Sequence, residues 1–169
     1  RRWMSSEVYR NQLYLNDGAG TFNQVDAGQL DDSNSTTSSI ASFDADGDGF
    51  VDLAIGNGGH CYLWTCSGER DALFLNDGSG SFTRVDAGTF DDLVERTFAL
   101  AAFDADGDGD TDLAVAGDGP EALYLNDGQA WFTLAASGDF GSSTSAVTVL
   151  AAFDADGDGD DDLLGATGY

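Results

Sequence analysis

Lysine and arginine are scarce in this chain. Six of them stand against 31 Asp and Glu, a formal net charge of −25, and that balance excludes a nucleic-acid backbone as the main partner. Proline and histidine occur once each and cysteine twice. No apolar run approaches the roughly 18 residues of a membrane span, so no membrane insertion is expected, and no signal peptide is visible. Helical periodicity is absent throughout, which leaves an all-β reading. The first residues are Arg1-Arg2-Trp3 rather than methionine, so processing or truncation is expected to have removed a preceding segment.

Glycine, by contrast, is abundant at 23 residues, which suits short strands joined by many tight turns. Hydrophobic residues at 41% can build a core, and aromatics at 11% argue against disorder. The 169 residues suffice for one ordinary domain. The acids are unevenly placed. Fifteen of the 31 fall within Asp44–Asp52, Asp104–Asp112 and Asp154–Asp162. General solubility does not demand such concentration; ligand binding does.

An internal repeat organises the chain. Leu13-Tyr14-Leu15-Asn16-Asp17-Gly18 returns from Leu73 and from Leu123, and Phe43-Asp44-Ala45-Asp46-Gly47-Asp48-Gly49 returns from Phe103 and from Phe153. The repeat is about 50 residues long, with an insertion between Gly56 and Leu73. Each unit reads as four short strands. Strand A ends in Phe-Asp, as in Phe98–Phe103 and Val147–Phe153. Strand B follows the acidic loop, as in Leu53–Ile55 and Leu113–Val115. Strand C is the Leu-Tyr-Leu run, and strand D is Phe22–Val25, Phe82–Val85 or Phe132–Ala135. Asp-Gly between C and D supplies the positive φ of a hairpin turn. Four antiparallel strands per 50 residues is the unit of a β-propeller blade.

These boundaries predict one repeat domain over 1–169. It divides into a C–D half-blade at 1–30, a blade at 39–88 with its insertion at 57–71, a blade at 97–136, and an A–B half-blade at 145–169. Joined end to end these make three blades, fewer than the four to eight that usually close a ring. An arc of a larger propeller, or a protomer completed by other chains, is therefore expected. Trp3–Tyr9 also aligns with residues 63–69, as though an earlier repeat were cut mid-blade.

Each acidic loop carries carboxylates at positions 1, 3, 5 and 9 around a glycine at 6. They are Asp44, Asp46, Asp48 and Asp52; Asp104, Asp106, Asp108 and Asp112; and Asp154, Asp156, Asp158 and Asp162. Position 7, held by Phe50, Asp110 and Asp160, is expected to offer its backbone carbonyl, so its side chain is free to vary. Such a set suits a hard cation that takes six to eight oxygens at about 2.3–2.6 Å, calcium rather than magnesium. Three Ca2+ sites follow. An EF-hand is excluded, because its twelfth-position Glu is replaced by Ile55, Val115 and Gly165. Tandem nonapeptide β-rolls need loops in immediate succession and are excluded too. Plain polar turns are opposed by repulsion of roughly 1 kcal/mol per carboxylate pair at 4 Å, even at water's dielectric.

Phe-Asp-Ala-Asp-Gly-Asp-Gly-x-x-Asp-Leu followed by a Leu-Tyr-Leu-Asn-Asp-Gly-x-Gly-x-Phe hairpin resembles the FG-GAP or VCBS repeat. That family includes calcium-bearing blades of integrin α-subunit propellers and many secreted bacterial and algal proteins. The resemblance covers residues 11–56, 70–136 and 147–166. It implies a β-propeller with its calcium loop between strands A and B, working outside the cell, secreted or at its surface, as a binding, adhesion or structural scaffold. An alternative is a non-catalytic, carbohydrate-binding accessory domain of a secreted polysaccharide-active enzyme. Ala130 departs from the pattern, standing where the other hairpins have Gly20 and Gly80, so the third hairpin is expected to turn differently.

In such an extracellular chain, Cys61 and Cys66 are expected to form a disulfide that staples the insertion. A metal site of His60 with both thiolates is the rival reading, and it lacks a fourth ligand. Tyr62 and Trp64 at the tip either contact a partner or pack on the neighbouring blade. Ser33–Ser39 reads as a linker, a glycosylated segment or a loop between blades. Catalysis has little support: His60 has no nucleophile motif beside it, and nearly half the acids already have a metal to bind. In an antiparallel blade the A–B and C–D loops share one face. The dissimilar B–C and D–A loops share the other, which is the expected seat of a protein or glycan ligand.

Overall fold

The computed structural model describes residues 10–32, 35–62, 65–92, 94–136, 138–142 and 146–168. Strands dominate: β1 (Leu13–Asn16), β2 (Phe22–Val25), β3 (Thr37–Phe43), β4 (Asp52–Asn57), β5 (His60–Tyr62), β6 (Thr65–Ser67), β7 (Glu69–Arg70), β8 (Ala72–Asn76), β9 (Phe82–Val85), β10 (Val94–Glu95), β11 (Thr97–Phe103), β12 (Asp112–Gly117), β13 (Ala122–Asn126), β14 (Phe132–Ala135), β15 (Val147–Phe153) and β16 (Asp162–Thr167). Among the described residues helix is confined to one α-turn, α1 (Gln29–Asp32), and one 3-10 turn over Phe140–Ser142. Four residues are too few to show a helical period, so the apolar spacing could not reveal it.

Two complete antiparallel sheets run in the order β3-β4-β8-β9 and β11-β12-β13-β14. They are the predicted A-B-C-D blades. Their registers match: Leu53 faces Phe74 across β4 and β8, and Leu113 faces Tyr124 across β12 and β13. β1 pairs with β2, and β15 with β16, as two-stranded sheets. The first strands lie side by side, with β11 against both β3 and β15.

The cores lie between sheets. Ala41, Phe43, Ala54 and Leu73 of one blade meet Leu100, Leu113, Tyr124 and Phe132 of the next. Phe132 approaches Phe43 edge-on, with ring centroids 6.1 Å apart, and Phe90 approaches Tyr124 in the same manner at 5.7 Å. Leu13, Ala27 and Leu30 cover Ile55, Phe74 and Phe82 on the other side of the first blade. Leu150, Ala152 and Leu163 pack on Ala101, Phe103 and Ala114 of the second.

The connection after strand D clasps the following sheet. The carbonyl of Ala27 accepts the N–H of Phe82 at 3.1 Å, and that of Ala87 accepts the N–H of Phe132 at 3.2 Å. Gly28 and Gly88 form parallel bridges beside these bonds. Only glycine fits there, since a Cβ at Gly88 would lie 2.5 Å from the carbonyl oxygen of Phe132.

Two expectations change here. Thr37–Ser39 belongs to β3 and is no linker, while Ser33 and Asn34 lie outside the described residues. The Ser38 hydroxyl donates to the carbonyls of Gly56 and Thr97, and Ser39 Oγ accepts the N–H of Leu100 at 3.1 Å. The serines therefore bind blade to blade. Ala130 adopts φ 63°, in the same left-handed region as Gly20 at 90° and Gly80 at 88°, so the third hairpin turns like the others. Its N–H donates to the carbonyl of Ala45 at 2.9 Å and its methyl is buried. Those contacts offset a conformational cost on the order of 1 kcal/mol.

Cys61 and Cys66 are joined by a disulfide across the β5–β6 hairpin, which uses both sulfurs and excludes the thiolate metal site. The insertion is fastened at its base: β7 pairs with β10, and Arg96 Nε donates to the carbonyl of Gly58 at 2.9 Å. His60 Nε2 lies 2.9 Å from Glu69 Oε1. Trp3–Tyr9 and Trp64 lie outside the described residues, as does the Tyr62 side chain.

Candidate metal centres

Residues 44–51 link β3 to β4, 104–111 link β11 to β12, and 154–161 link β15 to β16. Short carboxylates satisfy the amides of their own loop. Oδ1 of Asp44 accepts the N–H of Gly47 and Oδ2 that of Gly49, both at 2.9 Å. Asp46 accepts from Asp48, and Asp48 from Phe50. The second loop repeats all four bonds, and so does the third.

This wrapping gathers carboxylate oxygens. One oxygen each from Asp44, Asp46 and Asp48 lie within 4.8 Å of one another, as do those of Asp104, Asp106 and Asp108. In the third loop the trio is Asp154, Asp156 and Asp162; Asp158 stands outside it. A carboxylate oxygen that accepts one amide keeps a second lone pair for a cation. The ion pairs among the described residues are His60–Glu69, Arg70–Asp92 and Arg96–Asp118, so no loop acid has a basic partner. All-oxygen donors with uncompensated negative charge fit a hard divalent ion.

The ninth-position acids have a second job. Asp52 and Asp112 are fully buried. Oδ2 of Asp52 accepts the N–H of Ala45 at 2.9 Å, and Oδ1 accepts that of Asn76 at 2.8 Å. Asp112 does the same with Ala105 and Asn126, both at 2.8 Å. Burial pushes both carboxyls above the usual range; the amide donors oppose it, and the neighbouring loop aspartates reinforce it. Asp162 is exposed and, among the described residues, accepts the N–H of Ala155 alone, at 3.0 Å.

Side chains at position 7 lie over the C–D hairpins. The Phe50 ring covers Gly78, and the Asp110 carboxylate covers Gly128; Asp160 is exposed. Asn126 Nδ2 donates both to Thr111 in its own blade, at 3.2 Å, and to Ala45 in the preceding one, at 3.0 Å. The acidic loops and the Asn-Asp-Gly hairpins are thus one hydrogen-bonded layer.

A buried brace at the opposite end of the strands escaped the motif reading. Asp71 accepts the Asn57 N–H at 2.8 Å and the Thr97 hydroxyl at 2.7 Å, tying β4 to the next blade's β11. Burial raises its carboxyl to about 6, with help from Glu95 and against both donors. Glu121 takes the equivalent place before β13. Its buried Oε2 has no hydrogen-bond partner among the described residues; Val147, with no hydroxyl, stands where β11 has Thr97. An acid directly before strand C in both full repeats was the available signal.

Four-stranded blades with an acidic loop between the first and second strands define a propeller-type repeat protein. The FG-GAP-like repeat matches residues 4–55, 59–115 and 104–165, and the chain belongs to this family. Comparison with curated protein sequences returns no match. Repeats of this family often bind Ca2+ and generally mediate interactions rather than catalysis. No helix among the described residues is long and apolar enough to cross a membrane.

Proposed function

We propose that the chain is an extracellular, calcium-binding propeller segment serving as a binding, adhesion or structural scaffold. The observation that carries this reading is the convergence of three carboxylate trios, each without a basic partner among the described residues. Asp44, Asp46, Asp48 and Asp52 would hold the first ion, with the carbonyl of Phe50. Asp104, Asp106, Asp108 and Asp112, with the carbonyl of Asp110, would hold the second. Asp154, Asp156, Asp158 and Asp162, with the carbonyl of Asp160, would hold the third. The bound ion supplies the positive charge that these loops lack. Asp52 and Asp112 carry that effect into the sheet through Asn76 and Asn126.

Recognition falls to the opposite face. The layer of acidic loops and hairpins is nearly uniform from repeat to repeat, whereas the B–C and D–A connections differ and include the stapled insertion. Dissimilar loops on a rigid scaffold can shape a single contact surface for a protein or glycan ligand. The disulfide and the family membership support an extracellular setting. Calorimetric titration with calcium tests the metal reading directly. Three sites are expected, with Asp46→Ala and Asp106→Ala each removing one; no heat at any loop overturns it.

A further inference from the structure

We propose that the cavity at the first blade junction binds the acidic sugar of a uronate-bearing glycan. Its volume is about 300 Å³, at the lower end of the range for small-molecule sites. Ala72 and Phe74 of β8 give it an apolar wall, and Ser35, Asn57, Arg70 and Arg84 bring polar groups to the others. These residues come from the D–A connection, the end of β4, the segment leading into β8 and the middle of β9. That is the side of the strands assigned above to recognition, and the proposal rests on that assignment.

Smaller side chains at three positions leave this room. Five of the wall positions recur at the next blade junction, where only about 20 Å³ remains, little more than one water needs. There Glu95, Arg96 and Tyr124 line the gap, at the places that Ser35, Thr36 and Phe74 hold in the first junction. The charge differs as well. Asp71 and Glu95 border the second gap, whereas none of the described residues lining the first is acidic.

The polar groups suit an anion that also carries hydroxyls. A guanidinium has five N–H donors. Arg70 commits Nη1 to the Asp91 carbonyl at 2.9 Å and to the Asp92 carboxylate at 3.3 Å. Arg84 commits Nη2 to the Asp71 carbonyl at 3.3 Å and makes no ion pair among the described residues. The chain has only six basic residues against a net charge of −25. Two guanidinia with donors to spare at one cavity therefore select a carboxylate. Asn57 is 1% exposed; its Nδ2 donates to the Arg70 carbonyl at 2.7 Å, and its Oδ1 has no partner among the described residues. That oxygen calls for a donor, which a bare carboxylate or an ionised acidic side chain does not supply. A sugar acid offers a carboxylate to the arginines, hydroxyls to Asn57 and Ser35, and a C–H ring face to Ala72 and Phe74.

The test is a glycan array probed with the 169-residue chain at fixed free calcium. It carries glucuronate-, galacturonate- and mannuronate-terminated oligosaccharides, their neutral counterparts and an oligoglutamate peptide. At least one uronate is expected to bind, at least tenfold more tightly than its neutral counterpart and than the peptide. Arg84→Gln is expected to remove that preference. Ser35→Glu, which brings to this junction the residue of the next, is expected to weaken uronate binding at least tenfold. Both variants are expected to keep the parent's cooperative melting transition. The proposal is overturned if no uronate binds, if the peptide binds as tightly as the best uronate, or if either folded variant binds the uronate as the parent does. Binding of a neutral glycan or a protein that is weakened by deleting residues 58–69 but not by Arg84→Gln would also overturn it, while leaving the assignment of faces standing.

Discussion

Asp52 and Asn76 meet across two neighbouring strands: Oδ1 of the buried carboxylate accepts the Asn76 backbone N–H at 2.8 Å. The other oxygen takes the Ala45 N–H, so one side chain holds the start of the acidic loop, the start of β4 and the end of β8 together. Asp112 repeats the arrangement with Asn126 and Ala105. A residue that reads as a metal ligand by spacing is also a bolt through the blade. The two roles can be separated experimentally.

In excess chelator, Asp112→Ala is expected to destabilise the fold by about 2–5 kcal/mol, because two buried amides lose their acceptor at roughly 1–3 kcal/mol each. Asp108→Ala under the same conditions is expected to be neutral or slightly stabilising, since it relieves repulsion within the loop. Urea unfolding of both variants measures this. Equal losses at the two positions would contradict the bolt.

With calcium restored, the ions themselves are expected to add stability. At ~100 times the dissociation constant, linkage gives about 2.7 kcal/mol per site, or roughly 8 kcal/mol over three sites. That is comparable to the ~5–15 kcal/mol of a whole domain. Chelation should lower the melting temperature sharply, and an unchanged melting curve would show that the ions do not hold the fold.

What could be read in advance was whatever is written locally. Strand D appears in the structure at Phe22–Val25, Phe82–Val85 and Phe132–Ala135, because each copy begins two residues past a glycine-bearing or equivalent turn and is apolar at its ends. The loop acids were legible for the same reason, since their amide donors lie two to five residues away. Contacts between distant segments were not. Asp71 finds Thr97 across 26 residues, and β7 finds β10 only once two blades have stacked. The conformation of Ala130 depends on a carbonyl at Ala45 in another blade, which no turn rule contains.

The Cys61–Cys66 bridge is expected to leave no thiol for labelling in the native protein. Closing so short a loop is worth about 2 kcal/mol in the chain-entropy account. Reduction should therefore speed amide exchange in residues 60–67 while leaving β11–β14 protected. If the insertion face seats the partner, deleting residues 58–69 should also weaken partner binding with calcium affinity intact. A partner found on the Asn-Asp-Gly hairpins would reverse the assignment of faces.

Asp71 predicts a pH dependence whose sign is opposite to that of a salt-bridged acid. Burial raises its carboxyl to about 6 from an unfolded value of 3.8, with Glu95 adding to the shift. The folded state therefore binds its proton more tightly than the unfolded chain does. Its favourable contribution is complete below 3.8 and is lost as pH climbs through about 6, after which the dependence is flat. A shift of this size corresponds to at most about 3 kcal/mol. Asp71→Asn keeps an acceptor for the Asn57 N–H and a partner for the Thr97 hydroxyl, yet has no charge to desolvate. The variant should be more stable than the parent at pH 7.5, and the gap should close as pH falls from about 6 to 4. Unfolding free energies for both chains across pH 4–8, at fixed free calcium, isolate this one carboxyl, because the remaining acids are common to the pair. A gap that stays constant with pH would mean that Asp71 titrates alike in the folded and unfolded states, and that the brace to Thr97 is made by a carboxylate that burial does not perturb.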